Sequence, residues 1–447
     1  MEAYAVYGMK INKWNLMIYS GFFCLLMPTF MISFAGYLFP GASIYLWMAA
    51  SLVFSYFYAS CGKICLKISI PKLLKKPGLV WMLIIIIVLM HNYDLKESIT
   101  ARQPICYISL FILFFILSQT ITWVKFFWGV VKIFCTFHLI TGIFFLFNKS
   151  MLINNIIPLF QVDENVIRLL YQAIENGYMT GLCYHYSTMG MYMALGVVAF
   201  SDMLLLQKST WIQKIGFFSM FLGLLLTGKR GPLLAVVLAL LIVYLTTNKL
   251  LNRKKLFRVF AGLIFIFALI MVAYYKIPQV QSTINRFIVE SSDINSFSSG
   301  RVDYFYVNAI SMFLEKPLFG NGWRFFRHNI EHYSGGIIGT NDAHNIFLEL
   351  LADTGIIGLT IFICFFAMSI FVTYTTIKKI TGSYSSNAHE VLYLKKAFVY
   401  QLFFLMYGLS GNSLYDEQCY IPYFVCCIAG YTYNLQFRNR IIRKRPC

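Results

Sequence analysis

Charge is what this chain has least of. Charged residues make up 12% of its 447 residues, about half the ~25% usual in a soluble domain, and that shortage excludes a water-soluble globule. Acids are the scarcer kind, with 18 Asp and Glu against 37 Lys and Arg and a net charge of +19. No CxxC pair occurs among the 11 cysteines, and segment 276–343 has no cysteine, so neither a disulfide framework nor a cysteine metal site is supported. There is no repeat of fixed period and no low-complexity tract. The first apolar run lacks an A-x-A cleavage site and reads as a membrane span rather than a signal peptide. What the chain does have is apolar bulk: 59% hydrophobic and 18% aromatic residues, too much for disorder.

Apolar runs near the 20 residues needed to cross a bilayer centre on 15–38, 42–61, 78–93, 104–121, 123–147, 186–206, 211–227, 231–248, 256–275, 345–376, 395–411 and 419–437. The fold class expected is an all-α polytopic membrane protein of about 12 transmembrane helices, with a large outward loop at 276–343. Segment 148–185 is too polar to span and reads as a short re-entrant or surface helix. An even number of spans puts both termini on one side. The segments on that side (2–13, 63–76, 202–214, 249–258, 378–396 and 438–445) carry most of the lysine and arginine, with only Glu2, Asp202 and Glu390 as acids. Basic residues collect on the cytoplasmic side, so both termini are expected in the cytoplasm. The same scatter over alternate loops argues against a nucleic-acid partner.

Three features carry chemistry. Thr227-Gly228-Lys229-Arg230-Gly231-Pro232 sets two cations at the outer start of span eight. A helix N-terminus is already partly positive, so cations there fit best beside an anion such as phosphate; a pair of interfacial anchors is the plainer reading. The GxxxxGK spelling at 223–229 lacks the following Ser or Thr and is not a nucleotide loop. His344-Asn345 opens span ten, behind Asn341 and Asp342 as expected N-caps. On a straight helix Gly355 and Gly358 would lie below the imidazole as a smooth strip. A helix N-terminus would keep that imidazole neutral and able to accept a proton; a plain capping histidine is the alternative. In the outer loop, residues 301–316 follow a helical period ended at Glu315-Lys316-Pro317, as either a surface helix or a wall over a site. Arg286, Arg301, Arg324 and Arg327 lie in the loop as anion-gripping candidates. His328 and His332 make an i,i+4 pair too sparse for a metal. Lys125 and Lys132 share one face of span five, lining a cavity or snorkelling.

Arg230, three residues and Leu234, then His344-Asn345, nine residues, Gly355, two residues and Gly358, resemble the two motifs of the O-antigen ligase/polymerase superfamily. Ser299-Gly300-Arg301, Glu315-Lys316-Pro317-Leu318 and Gly320-Asn321-Gly322 resemble its loop, and the resemblance runs over about 180–376. It implies a C-type glycosyltransferase, metal-independent, inverting and without a cofactor, in the bacterial cytoplasmic membrane. The donor would be an undecaprenyl diphosphate-linked glycan. His344 would be the general base. Arg230, Arg301 and Arg286, with Lys229 and Asn345, would bind the substrate and its diphosphate. The expected organisation is N-terminal helices over 1–185, a ligase/polymerase-like core over 186–376, and C-terminal helices with a basic tail over 377–447. A polysaccharide polymerase of O-antigen or capsule type is favoured, with a ligase as alternative and a lipid-linked oligosaccharide flippase as the reading from another class. The lipid bilayer, a chain-length regulator and a separate flippase are the partners implied.

Overall fold

The computed structural model describes residues 84–86, most of 107–118, 121–159, 164–183, 185–206, 209–247, scattered positions over 268–281, 301–336, 339, 341–382 and 388–444. Every regular element among them is helical. Ten helices are used below: α1 (Thr122–Phe147), α2 (Glu164–Glu175), α3 (Tyr186–Ala199), α4 (Trp211–Leu226), α5 (Arg230–Thr247), α6 (Val307–Glu315), α7 (Phe325–Tyr333), α8 (Ile346–Thr381), α9 (Ala388–Gly408) and α10 (Glu417–Lys444). By length and composition α1, α3 with its extension to Leu205, α5 and α8 can each cross a membrane. The expected runs at 15–38 and 42–61, most of those at 78–93 and 256–275, Arg286, and the loop over 282–300 lie outside the described residues. Within segment 148–185, α2 is an amphipathic helix whose Leu170 and Ile174 pack on Phe145, Leu152 and Ile157.

α3 is the axis of the bundle. Every residue from Thr188 to Ala199 is buried, and α1, α4, α5, α9 and α10 pack around it. Such a helix needs no polar stripe, because every face meets another helix. α4 starts on a capping box in which Thr210 accepts from Gln213 N–H and Gln213 reaches back to Thr210 N–H. It ends at Gly228, whose φ of +69° reverses the chain. Here glycine is required by space as well, since a Cβ would lie 2.4 Å from the Tyr178 ring. Lys229 then leads into α5, whose first turn holds Pro232, where a missing N–H costs nothing.

At the far end of α3, Asp202 accepts from Lys396 at 2.9 Å and Lys132 at 3.0 Å, and Lys396 also donates to Ala199 O. An ionised group inside a membrane bundle is expensive unless paired, and these three side chains pair α1, α3 and α9. Lys132 is thus engaged with a carboxylate, while Lys125 is exposed.

The helix that the period places at span ten runs from Ile346 to Thr381 but is broken at Gly355 (φ 64°, ψ −171°). The 316–322 segment is inserted at the break. Ile356 N–H donates to Pro317 O and Ile357 N–H to Leu318 O, while Asn321 N–H donates to Ala352 O and Gly322 N–H to Asp353 O. Two carbonyls of the first limb (Ala352 and Asp353) and the first two amides of the next (Ile356 and Ile357), which a broken helix would orphan, are therefore satisfied by one loop. Two glycines permit it. A Cβ on Gly355 would lie 2.4 Å from Leu318 O, and one on Gly320 would lie 2.3 Å from Asp353 O. The smooth glycine strip expected from a straight helix is corrected: Gly355 ends the first limb, so the 100° projection does not carry across it.

Gly355→Ala should cost at least the ~1–3 kcal/mol of a strained φ/ψ, with the backbone clash added. Hydrogen exchange would show it as faster exchange at Asn321, Gly322, Ile356 and Ile357 with protection kept at 366–376. Unchanged protection at those four amides would mean the break does not depend on the missing side chain.

Candidate functional site

The beginnings of α3, α5 and α8, the α9–α10 connection and the start of the 301–315 helix meet at one end of the bundle. Gly231 in α5 lies beside Ser410, a Cβ there being 3.1 Å from its Oγ. Arg301 donates to Ser410 O at 2.8 Å. Gly408 lies against Ile346, and Asn412 donates to Asp342. Residues 230, 301, 344 and 410 are thus gathered from four separate stretches of sequence.

His344 sits two residues ahead of α8 with φ 53°, a left-handed backbone that costs a non-glycine residue energy. The N-cap is Asn345, whose side-chain oxygen accepts from Phe347 N–H at 3.0 Å and Leu348 N–H at 3.2 Å. This corrects the expected capping by Asn341 and Asp342, and it occupies the side-chain oxygen of a residue expected to bind substrate. The His344 ring meets Phe305 edge-on at 5.6 Å. Phe305 lies on a π-helical turn (Val302–Tyr306) directly after Arg301, an irregularity often found at functional sites. The helix over 302–315 buries Phe305, Ala309 and Met312. It packs on α8, beside the segment that carries His344.

Burial lowers the pKa of His344, the nearby charge of Arg301 lowers it further, and Lys229 adds to this; Asp342 opposes them, and the outcome is about 4. The lowered pKa fits the neutral imidazole expected at this position, with burial the first cause and the Arg301 and Lys229 charges adding to it. His185 shares this environment. Burial, Lys229 and His344 hold it down to about 3. No sequence motif marks it. Its one signal is position: a histidine directly before the first residue of an apolar run, at the same end as Lys229 and His344.

The backbone around His344 is held by a buried ionic network. Arg324 bonds Asp342 at 2.9 Å and Glu349 at 3.3 Å. Arg327 bonds the same Asp342 oxygen at 3.1 Å. Burial works against the Arg324 charge, but Asp342 and Glu349 outweigh it and hold the guanidinium above its ordinary pKa. Glu349 also accepts from Ala343 N–H, and Asp353 accepts from Arg324 N–H and Phe326 N–H, closing the start of α7. Arg324 and Arg327, expected as anion grips, are therefore engaged inside the protein. His332 is exposed, and no cluster of three His, Cys, Asp or Glu side chains able to hold a metal occurs among the described residues. Asp416, also unmarked in the sequence, faces this network; burial and then Asp342 raise it to about 8, against the pull of Arg324 and Arg327.

Lys229 and Arg230 sit where the motif places them, partly buried at the start of α5. The Lys229 ammonium lies 4.0 Å over the Tyr186 ring, and its stem passes Gly190, where a Cβ would lie 3.3 Å away. Lys229, Arg301 and His344 are thus brought together, with Arg230 adjoining. Together they offer a neutral proton acceptor next to positive charge.

Residues 215–363 match a family model described as O-antigen ligase. The matched stretch contains both motifs and the loop between them; His185, Ser410 and Asp416 fall outside it. No curated protein matches the chain.

Removing a neighbouring cation lessens the penalty on the protonated ring, so Arg301→Gln should raise the His344 midpoint from about 4 toward 6.5. Lys229→Gln should raise it less. The pH dependence of diethyl pyrocarbonate labelling, read at His344 by peptide mass spectrometry, measures this. A midpoint that stays put in Arg301→Gln would separate that guanidinium from the imidazole.

Proposed function

Residues 215–363 form an O-antigen ligase-family domain within the O-antigen ligase/polymerase superfamily, and on that premise we propose that the chain is a polysaccharide polymerase. It transfers a growing glycan from undecaprenyl diphosphate to a fresh lipid-linked repeat unit. The observation that carries the glycosyl-transfer reading is the meeting of His344 with Arg301 and Lys229, three groups more than 40 residues apart in the chain, an arrangement that suits polymerase and ligase alike.

The acceptor hydroxyl attacks the anomeric carbon from the face opposite the diphosphate, inverting it. His344 takes the hydroxyl proton as the new C–O bond forms. The bond to the diphosphate oxygen breaks with its electron pair, and undecaprenyl diphosphate leaves. Lys229, Arg230 and Arg301 stabilise the charge on that leaving group, so the chain's own cations suffice without a metal. Phosphate charge beside Arg301 and Lys229 also cancels the two influences that weaken His344 as a base after burial. On this reading the end faces the outer side of the cytoplasmic membrane and both termini lie inside, as the basic loops of the sequence support. A flippase supplying the repeat units and a chain-length regulator would work beside it.

The second reading is a ligase, which carries the finished glycan to a terminal acceptor; the family match fits it as well as a polymerase. His344→Ala should abolish chain extension at unchanged protein level and membrane insertion, read as loss of the glycan ladder on a gel. An intact ladder would sink the transferase assignment. In a deletion strain, single repeats on the final acceptor indicate the polymerase, and long chains left on the lipid carrier indicate the ligase.

A further inference from the structure

His185 precedes the family-matched stretch and carries no role in the chemistry above. Its ring is fixed by the helix it caps: Nδ1 accepts from Ser187 N–H at 3.1 Å. An imidazole nitrogen that accepts cannot hold a proton, so the neutral ring carries its proton on Nε2. Protonating Nδ1 would set two N–H donors face to face and break the cap. The group is therefore a permanent neutral donor, unlike His344, whose ring makes no hydrogen bond among the described residues and can accept.

Its surroundings say what it donates to. The ring lies 4.8 Å from that of Tyr186, inclined 30° to it. The Lys229 ammonium sits 4.0 Å over that same Tyr186 ring, and its stem lies on Gly190, in the second turn of the helix His185 caps. Among the described residues the Ser187 bond is the one hydrogen bond the His185 ring makes. A neutral N–H beside an ammonium suits an anionic oxygen: it adds a directed bond without adding repulsion to Lys229.

We propose that His185 is a substrate-binding group whose Nε2–H donates to a non-bridging oxygen of the lipid-linked diphosphate that Lys229 attracts. The inference rests on the reading of this end as a diphosphate site and extends that site to a residue before the matched stretch. His185→Asn separates its two tasks, since asparagine keeps the helix cap and removes the ring donor.

Purified full-length protein in detergent would be titrated with farnesyl diphosphate and, as the same tail without charge, farnesol. His185→Asn should bind farnesyl diphosphate about tenfold or more weakly, the size of a lost hydrogen bond to a charged group, with farnesol binding unchanged. A folded His185→Asn protein that binds farnesyl diphosphate like wild type overturns the inference. Should that variant not fold, wild-type protein labelled with 15N-histidine decides. The His185 proton on Nε2, with its resonance moved by farnesyl diphosphate, supports the inference; a proton on Nδ1, or an unmoved resonance, overturns it. Wild type that binds farnesol as well as farnesyl diphosphate removes the diphosphate site, and the inference with it. A His344→Ala protein that still extends chains removes the transferase reading whatever His185 does.

Discussion

One buried guanidinium holds the site in place. Arg324 is 6% exposed and adopts a left-handed backbone at φ 67°. A charge so placed must be paired, because an uncompensated one costs several kcal/mol. Its two partners lie on either side of His344, Asp342 two residues before it and Glu349 five residues after. Satisfying Arg324 therefore fixes both ends of the 342–349 segment. Glu349 adds a bond to Ala343 N–H, directly ahead of the histidine. The strained φ of His344, which a free chain would relax, is held by this frame. The direction of the imidazole follows from charge pairing around it and from the Phe305 edge, not from a hydrogen bond of its own.

The Gly355 break solves a problem of length. An unbroken helix of 36 residues would reach about 54 Å at 1.5 Å per residue, far beyond a ~30 Å hydrocarbon layer. After the break, residues 356–381 give about 39 Å, enough to cross with tilt. The first limb, 346–354, is freed to serve as the floor on which the loop docks. Irregular backbone is tolerated near a membrane only where protein satisfies it, and here segment 316–322 supplies partners in both directions. The loop that brings Arg301 and Phe305 to His344 is thus anchored by the same break that ends the limb His344 precedes.

The spans were legible because composition and period are local properties. The described helices over 122–147, 186–205, 211–226, 230–247 and 346–381 follow the apolar runs closely. The stop at Glu315-Lys316-Pro317 and the cations at the start of α5 were legible for the same reason. What stayed hidden was pairing at a distance. Arg324 and Arg327 look like ligands for an anion until Asp342 and Glu349 are seen beside them, and nothing in the spacing announces that. The caps were misplaced because Asn341, Asp342 and Asn345 are equally good capping residues, and only the backbone at residue 345 decides among them. Gly355 was legible as important but not as a break, since a glycine spacing reads the same on a straight helix. His185, Ser410 and Asp416 carry no motif; they join the site only because α3 and the α9–α10 connection end there.

The electrostatics of this end follow from two kinds of charge kept apart. The carboxylates Asp342, Glu349 and Asp353 face inward to Arg324 and Arg327 and to backbone amides. Lys229 and Arg301 stand on the other side, against aromatic rings and the Ser410 carbonyl. Near the cations are two imidazoles: burial with Arg301 and Lys229 lowers the pKa of His344, and burial with Lys229 and His344 lowers that of His185. A field of this shape draws in an anion and weakens the histidine base at the same time. The two effects are linked: whatever negative charge settles on Lys229 and Arg301 removes their share of the depression on His344. On the proposed reading the proton acceptor becomes stronger as the donor diphosphate binds. The base is then weaker toward water in a site that holds no donor and stronger when a sugar hydroxyl stands next to its target, while burial acts in both states.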